Sequence, residues 1–572
     1  MPTKRKHDEE DEYDTSSRYH PNADETASFG IVLRDFYPPE MSNARCDEYI
    51  NGTRERPIKT LERAYEETAQ QRAEITANAA VVHWFKTDLR LHDNRALQAA
   101  YNLAREAKIP LITLYILSPE DLTAHLISPA RTDLILRTLA QLQRDLSELD
   151  IPLYMEIQPD RSAVPARIVD LCHEWGANNL FANIEYEVDE LRREASLVRV
   201  CAEKGIAFEM KHDTCVVPPG NLTSQTGKQY AVYTHWFRAW VTFLDRNSDI
   251  LNVGEEIGSN PGDARRLFSS LFGCSVPDAP EGKKLDEVNA VRMRDLYPAG
   301  EHEGQRRLEA FLDEKAKGYD EERNYLAGES TSVLSPYFTS GLLSTRTAVV
   351  QARKANGNRI AGGEVGYISW ISEVAWRDFY RHVLVHWPFI CMNKCFKPSY
   401  TNLDWSYNED HFTAWASGKT GYPIVDAAMR QLNQIGWMHN RARMIVSSFL
   451  SKDLLIDWRR GERYFMEHLV DGDFASNHGG WGFGSSTGVD PQPYFRIFNP
   501  LRQSERFDPK GEYIRKWVEE LRDVEGNAIH APYERGAGDV ARKNGYPEPI
   551  VKHEEARDRA LKRYKEASGS GK

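Results

Sequence analysis

The 572-residue chain has little cysteine: seven in all, with no CxxC pair and no metal-ligand spacing. Cys391 and Cys395 come nearest to one another without making a zinc motif. An odd, scattered set argues for a reducing, intracellular setting and against a disulfide framework. No run of about 18 apolar residues occurs, so no membrane-spanning helix is expected. Positive charge is not in surplus: the net charge is −12, and any contact with nucleic acid has to come from a local basic patch. No GxGxxG follows the first strand-like run, which leaves no dinucleotide fingerprint and no visible nicotinamide site. The N-terminus lacks the apolar core of a secretory signal, and no internal repeat is present.

Aromatics are abundant, with 13 tryptophans and 26 tyrosines, most of them expected in cores. Residues 1–78 read as an extension, partly disordered, with a short basic run of nuclear-import type at Lys4-Arg5-Lys6 and helical composition over 58–78. Over 79–210 the runs AAVVHWF, IPLITLYIL, IPLYMEI, NNLFANIE and IAFEM alternate with helical segments such as Arg131–Leu149. That alternation predicts an α/β domain with a right-handed, mostly parallel sheet. Turn clusters fill 211–305, which reads as a connector. Residues 306–560 lack strand-like runs and predict a helical domain, and 561–572 a polar tail.

Two helical faces carry unusual chemistry. At about 100° per residue, Trp370, Glu373, Trp376, Arg377 and Tyr380 share one sector. A core face would be aliphatic; this one suits a flat heteroaromatic ligand, and a buried ion pair beside core aromatics is the alternative. Trp437, Asn440, Arg441 and Met444 follow i, i+3, i+4, i+7 and predict a second such face. Arg443 lies off that line, and a buried arginine needs an acid, for which Asp471 is the candidate. The basic cluster Asn440–Arg463 is interleaved with acids, so a solvated helix face competes with a DNA patch. The hydroxyls of TSVLSP, Thr331 to Pro336, stand near an expected helix start, where phosphate is favoured.

The stretch DGDFASNHGGW, from Asp471 to Trp481, puts two acids and an amide beside glycines. A calcium loop counted from Asp471 would need oxygen, glycine and glutamate where Ala475, Ser476 and Gly482 stand. No metal is therefore expected. Simple helix capping by Asp and Gly is the other reading.

Taken together, WRDFYRHVLVHWP, GKTGYPIVDAAMRQLNQIGWMHNRARM, LLIDWRRGERYF, DGDFASNHGGW and PYFRIFNP resemble the photolyase/cryptochrome family. WFKTDLRLHDNRAL resembles its N-terminal signature, and the likeness runs from about residue 80 to 560. The match is nearest to fungal class I cyclobutane pyrimidine dimer photolyases. The resemblance implies a Rossmann-like antenna domain followed by an all-helical domain that holds FAD. It implies flavin contacts at Tyr319, Thr331, Ser332, Val333, Leu334, Ser335, Trp370, Arg443, Asp471, Gly472 and Asp473, with Asn477 at the reactive ring nitrogen. It further implies an electron-transfer chain from the surface through Trp405, Trp458 and Trp481. Lesion and DNA contacts fall at Arg323, Glu373, Trp376, Arg377, Asn440, Arg441, Met444, Phe483 and Gln503.

The implied chemistry is light-driven repair. Excited, reduced FAD donates an electron to a thymine dimer in DNA, the cyclobutane ring splits and the electron returns. Glu373 hydrogen-bonds the damaged base and Trp376 walls it. The (6-4) photolyases resemble GWIHHLARH in this region, and Asn440 and Met444 replace both histidines, which argues against that lesion. Phe483 stands where bacterial relatives carry a second tryptophan, so weaker lesion contact is expected there. EYEVDELRR resembles a folate-antenna segment, with Glu190 as the acidic contact and Asp189 in place of a common asparagine. Methenyltetrahydrofolate is favoured over a deazaflavin, and a solvated helical Glu190 is the alternative. A cryptochrome-type photoreceptor, signalling through partners on the N-terminal extension, is the competing function. A monomer is expected, in the nucleus or otherwise in cytoplasm or mitochondria.

Overall fold

A computed structural model describes residues 43–392, 394–491 and 493–568. The basic run Lys4–Lys6 and the part of the expected disordered extension before residue 43 lie outside the described residues, while Asn43–Asn51 within that extension is a helix. The apolar runs become β1 (Ala80–Phe85), β2 (Leu111–Leu117), β3 (Leu153–Ile157), β4 (Ala177–Asn183) and β5 (Ala207–Lys211). They make one parallel sheet in the order β3-β2-β1-β4-β5. Val82 of β1 pairs with Ile112 on one side and Leu180 on the other. β1 is buried along its whole length, because a parallel sheet is covered on both faces and its strands favour near-continuous apolar runs; His83 is its one polar residue.

The chain forms two compact units. One comprises Glu55–Lys317 and Ser332–Pro388; the other comprises the described part of its first 54 residues, Gly318–Thr331 and the chain from Phe389 onward. This division cuts across the expected boundaries at 210 and 305. The helices Thr345–Ala355 and Val365–His386 belong with the sheet. Their buried charges show why: Arg346 pairs with Asp93 and Asp213. Asp378 accepts the backbone N–H groups of Val216 and Val217 and the indole N–H of Trp240. Helical periodicity shows that a face is covered, not which element covers it.

The stretch 211–305 is correspondingly more than a connector. It holds the helices Tyr233–Arg246, with Trp236 and Trp240 fully buried, and Glu287–Leu296. The expected extension also has an ordered part, the helix Pro57–Glu74. Its Tyr65 hydroxyl accepts from Met210 N of β5 and its Arg72 pairs with Glu209, so it covers an otherwise open sheet edge. The last helix, His553–Ala567, runs past the expected start of the polar tail because Ala556, Ala560 and Tyr564 make a buried stripe. Among the described residues no disulfide is formed. Among the described residues no helix is long and apolar enough to cross a membrane.

Candidate functional site

In the unit that ends the chain, the helix Trp458–His468 stops short of Asp471, and Asp473 starts the helix Phe474–Ser485. Asp473 Oδ1 accepts from Ser476 N at 2.9 Å, so the capping reading holds for one of its oxygens. Asp471 is buried and takes both of its oxygens to Arg443 Nη2, at 3.0 and 2.8 Å. Arg443 Nε donates to Met438 O at 2.8 Å, which leaves the guanidinium fixed at two points. Asn477 Nδ2 donates to Glu462 O at 3.0 Å, which fixes the plane of its amide.

Arg443 sits on the helix Asn440–Ser448, capped by His439, whose Nδ1 accepts from Arg441 N at 3.0 Å. Burial, then the cations Arg441 and Arg443, push His439 down to about 4, so it caps as a neutral imidazole. The single face expected for Trp437, Asn440, Arg441 and Met444 is broken here. Gly436, at φ 64°, ends the preceding helix Pro423–Ile435, and Trp437 lies between the two helices. Asn440 is exposed and Met444 half-buried on the second helix. Arg441 Nε and Nη2 both donate to Asn324 Oδ1, at 3.0 and 2.8 Å, beside Arg323 in sequence. The basic cluster is not one cationic face: Arg443, Arg459, Arg460 and Arg463 each have an acidic partner.

Trp405, Trp458 and Trp481 are buried in this unit's core. Trp405 is only 4% exposed, so none of the three reaches the surface itself. Trp481 stands edge-on to Phe465 at 5.0 Å and to Trp415 at 6.0 Å. A Cβ at Gly461 would come within 2.1 Å of the Trp481 ring, so only glycine admits that packing. Phe483 and Gln503 are half-buried, and Gly472 is buried next to Asp471. Tyr319 is buried at the start of the single turn Tyr319–Glu322; Arg323 and Thr331 are half-buried.

The sheet-bearing unit carries Ser332, Val333, Leu334 and Ser335. Val333 holds φ 48°, a left-handed value that β-branched residues avoid and that recurs at ligand clamps. The helix expected there is the one turn Ser335–Thr339. Trp370 is buried and its indole N–H reaches Ser332 Oγ at 3.4 Å. Glu373, Trp376 and Arg377 are half-buried on the helix Val365–His386, as the periodicity predicts, and Arg377 Nη2 donates to Phe338 O at 2.8 Å.

A second charged cluster in this unit surrounds Glu190. His125 Nε2 lies 2.9 Å from Glu190 Oε1 and His125 Nδ1 3.1 Å from Glu187. Arg161 reaches Asp121, Asp189 and Glu190 at 2.9, 2.6 and 3.1 Å. Among the described residues, Glu190 Oε2 and Asp189 Oδ1 find no hydrogen-bond donor although both are buried. Burial, then the charge of Asp189, pushes Glu190 well above the carboxylate range. The solvated reading of Glu190 therefore fails. Sequence spacing alone could not find His125, Asp121 or Arg161, because they come from other turns of the chain.

Residues 370–566 match the family described as the FAD binding domain of DNA photolyase, and 81–251 match DNA photolyase. The chain is 58% identical to the deoxyribodipyrimidine photo-lyase of Neurospora crassa, over 96% of this chain and 91% of that protein. It is 40% identical to that of Vibrio cholerae, over 85% and 99%. It is 35% identical to the mitochondrial one of Saccharomyces cerevisiae, over 93% and 94%. Its fold is similar to a bacterial class III photolyase from Agrobacterium tumefaciens, with TM-score 0.74, 33% identity and coverage of 86% and 98%.

Proposed function

The chain belongs to the DNA photolyase family, and from that premise we propose how its residues serve a deoxyribodipyrimidine photo-lyase that binds FAD and damaged DNA. FAD, when bound and reduced, supplies under light the electron that opens the cyclobutane ring. The residues fit such a group. The hydrogen-bonded pair of half-buried Arg443 and buried Asp471 offers fixed charge of both signs to a polar heteroaromatic ring. Asn477, its amide N–H taken by Glu462 O, keeps its amide oxygen for a ligand N–H. Tyr319, Thr331, Ser332, Val333, Leu334, Ser335, Trp370, Gly472 and Asp473 complete the flavin contacts. The buried Trp405, Trp458 and Trp481 serve to bring the flavin to its reduced state.

Glu373 donates or accepts at the damaged base, Trp376 and Phe483 wall it, and Asn440, Arg441, Met444 and Gln503 line the lesion. Arg323 and Arg377 meet phosphates, which makes affinity fall with salt. A dimer stacks poorly, so extruding it costs less than extruding an intact pair. The observation that carries the lesion assignment is the pair Asn440 and Met444, neither of which can act as an acid where a (6-4) enzyme needs histidines. The test offers photoreduced protein two oligonucleotides, one with a thymine dimer and one with a (6-4) photoproduct. Only the first recovers its pyrimidine absorbance, and only in light; repair of the second would overturn the assignment.

For the antenna, the unpartnered oxygens of Glu190 and Asp189 support a ligand with N–H donors along one edge, as a pterin has. Incoming donors would relieve the penalty on Glu190. Nuclear import by Lys4–Lys6 and a monomeric state belong to the same proposal; photoreceptor signalling through the N-terminal extension is its alternative, and both the import run and most of that extension lie outside the described residues.

A further inference from the structure

We infer that Tyr233 is a positioning residue that sets the plane of the lesion-facing Trp376; this rests on the reading of Trp376 as the wall against the dimer. The two rings lie 3.6 Å apart between centroids and 8° from parallel, a full face-to-face stack. The Tyr233 hydroxyl donates to Ser372 O at 2.7 Å and lies 2.8 Å from Ser372 Oγ. Ser372 precedes Glu373 by one residue and Trp376 by one helical turn, so the phenol holds the turn that carries both.

The support behind Tyr233 is itself rigid. From the helix Tyr233–Arg246, Phe237 stacks on Tyr233 at 5.6 Å and 17°, and Trp240 on Phe237 at 5.8 Å and 18°. The Trp240 indole N–H then donates to Asp378 Oδ2 at 3.1 Å. Asp378 belongs to the same helix as Trp376 and also accepts from Val216 N and Val217 N. The aromatic column is thus tied to the Glu373–Trp376 helix at both ends, through Ser372 and through Asp378. One face of the Trp376 indole is occupied by Tyr233, and the residue remains half-buried.

A wall for a flat pyrimidine pair works only if its plane is set before the ligand arrives. An indole free to change rotamer would have to be ordered on binding, at a cost in affinity. The stack removes that cost, and stacked aromatic pairs interact beyond their burial. The hydroxyl contributes less than the ring, because Ser372 O has its own helical partners.

The test measures the affinity of the FAD-loaded full chain for thymine-dimer and undamaged duplexes in the dark. Tyr233→Leu removes the flat face and weakens dimer binding about tenfold, equivalent to about 1.4 kcal/mol. Undamaged-duplex affinity and FAD content stay as in the parent. Tyr233→Phe, which keeps the ring, restores dimer affinity to within about twofold. Should Leu lower the melting temperature or FAD content, Tyr233→Met fills the space with a flexible chain and is read in the same way. Parent-like dimer affinity in Leu or Met, or failure of Phe to rescue, overturns the inference. Trp376→Ala separates the two levels. If it weakens dimer binding and Tyr233→Leu does not, the inference alone fails. If neither does, the lesion wall itself is misassigned and the inference falls with it.

Discussion

Two charged clusters in this chain, around buried Asp471 and around buried Glu190, are built on opposite principles. Around Arg443 every charge is answered: Asp471 gives both oxygens to one guanidinium nitrogen, and Nε is taken by Met438 O. Around Glu190 four acids, Asp121, Glu187, Asp189 and Glu190, face His125 and two arginines, Arg161 and Arg193. Among the described residues, Glu190 Oε2 and Asp189 Oδ1 there find no donor. Burial works against the charge on His125, yet Glu190 and Glu187 hold it well above the imidazole range. Each cluster suits a different ligand. A closed pair offers a ligand fixed charge at no further cost of ordering, whereas a surplus of acid is stable only when a donor-rich ligand arrives.

The comparison breaks most visibly at Asp471. Asp471→Asn leaves Arg443 without its anion, a loss on the order of 3 kcal/mol, or roughly a hundredfold in FAD affinity. Protein purified with this change lacks flavin absorbance; a full FAD complement would show that the pair is not a flavin contact. The opposite sign is expected at Glu190. Glu190→Gln removes the penalty of burying a carboxylate there beside Asp189 and raises the melting temperature of antenna-free protein by about 2 °C, from about 1 kcal/mol. The same change abolishes near-ultraviolet antenna absorbance and leaves repair per photon absorbed by the flavin intact. A lower melting temperature would mean that Glu190 is already satisfied.

The smallest effect concerns pH on the closed side. His439 is held near 4, against 6.5 for a free imidazole, so the unfolded chain takes up a proton first as pH falls. Its contribution is complete above pH 6.5 and is lost progressively down to about 4, at most about 3 kcal/mol. His439→Asn keeps a capping group that does not titrate. Its melting temperature should fall less steeply than the parent's between pH 6.5 and 4; equal slopes would assign the acid limb to other groups.

The two clusters also differ in how far they were legible beforehand. Arg443 and Asp471 could be matched because a buried arginine demands an acid and DGD supplied one next to glycine. Glu190 was legible as one residue but not as a cluster, since His125 and Arg161 reach it from separate helices and turns. The sheet was readable because β1 and its neighbour β2 are nearly continuous apolar runs. The helix Val365–His386 showed its polar sector but not its neighbour, and the burial of Asp378 against Val216 and Val217 settles that. The spacing of Trp437 mimics a helical face, but Gly436 at φ 64° ends one helix and the next starts only at Asn440. Tyr233 carried no signal, since one tyrosine in a turn-rich stretch looks like any other.

The most direct test is a crystal structure of the FAD-loaded protein on a duplex containing one thymine dimer. The account predicts the dimer out of the base stack, against Glu373 and Trp376, with the flavin beside an unbroken Arg443–Asp471 pair. A dimer left stacked in the duplex, or a flavin held away from that pair, would contradict it.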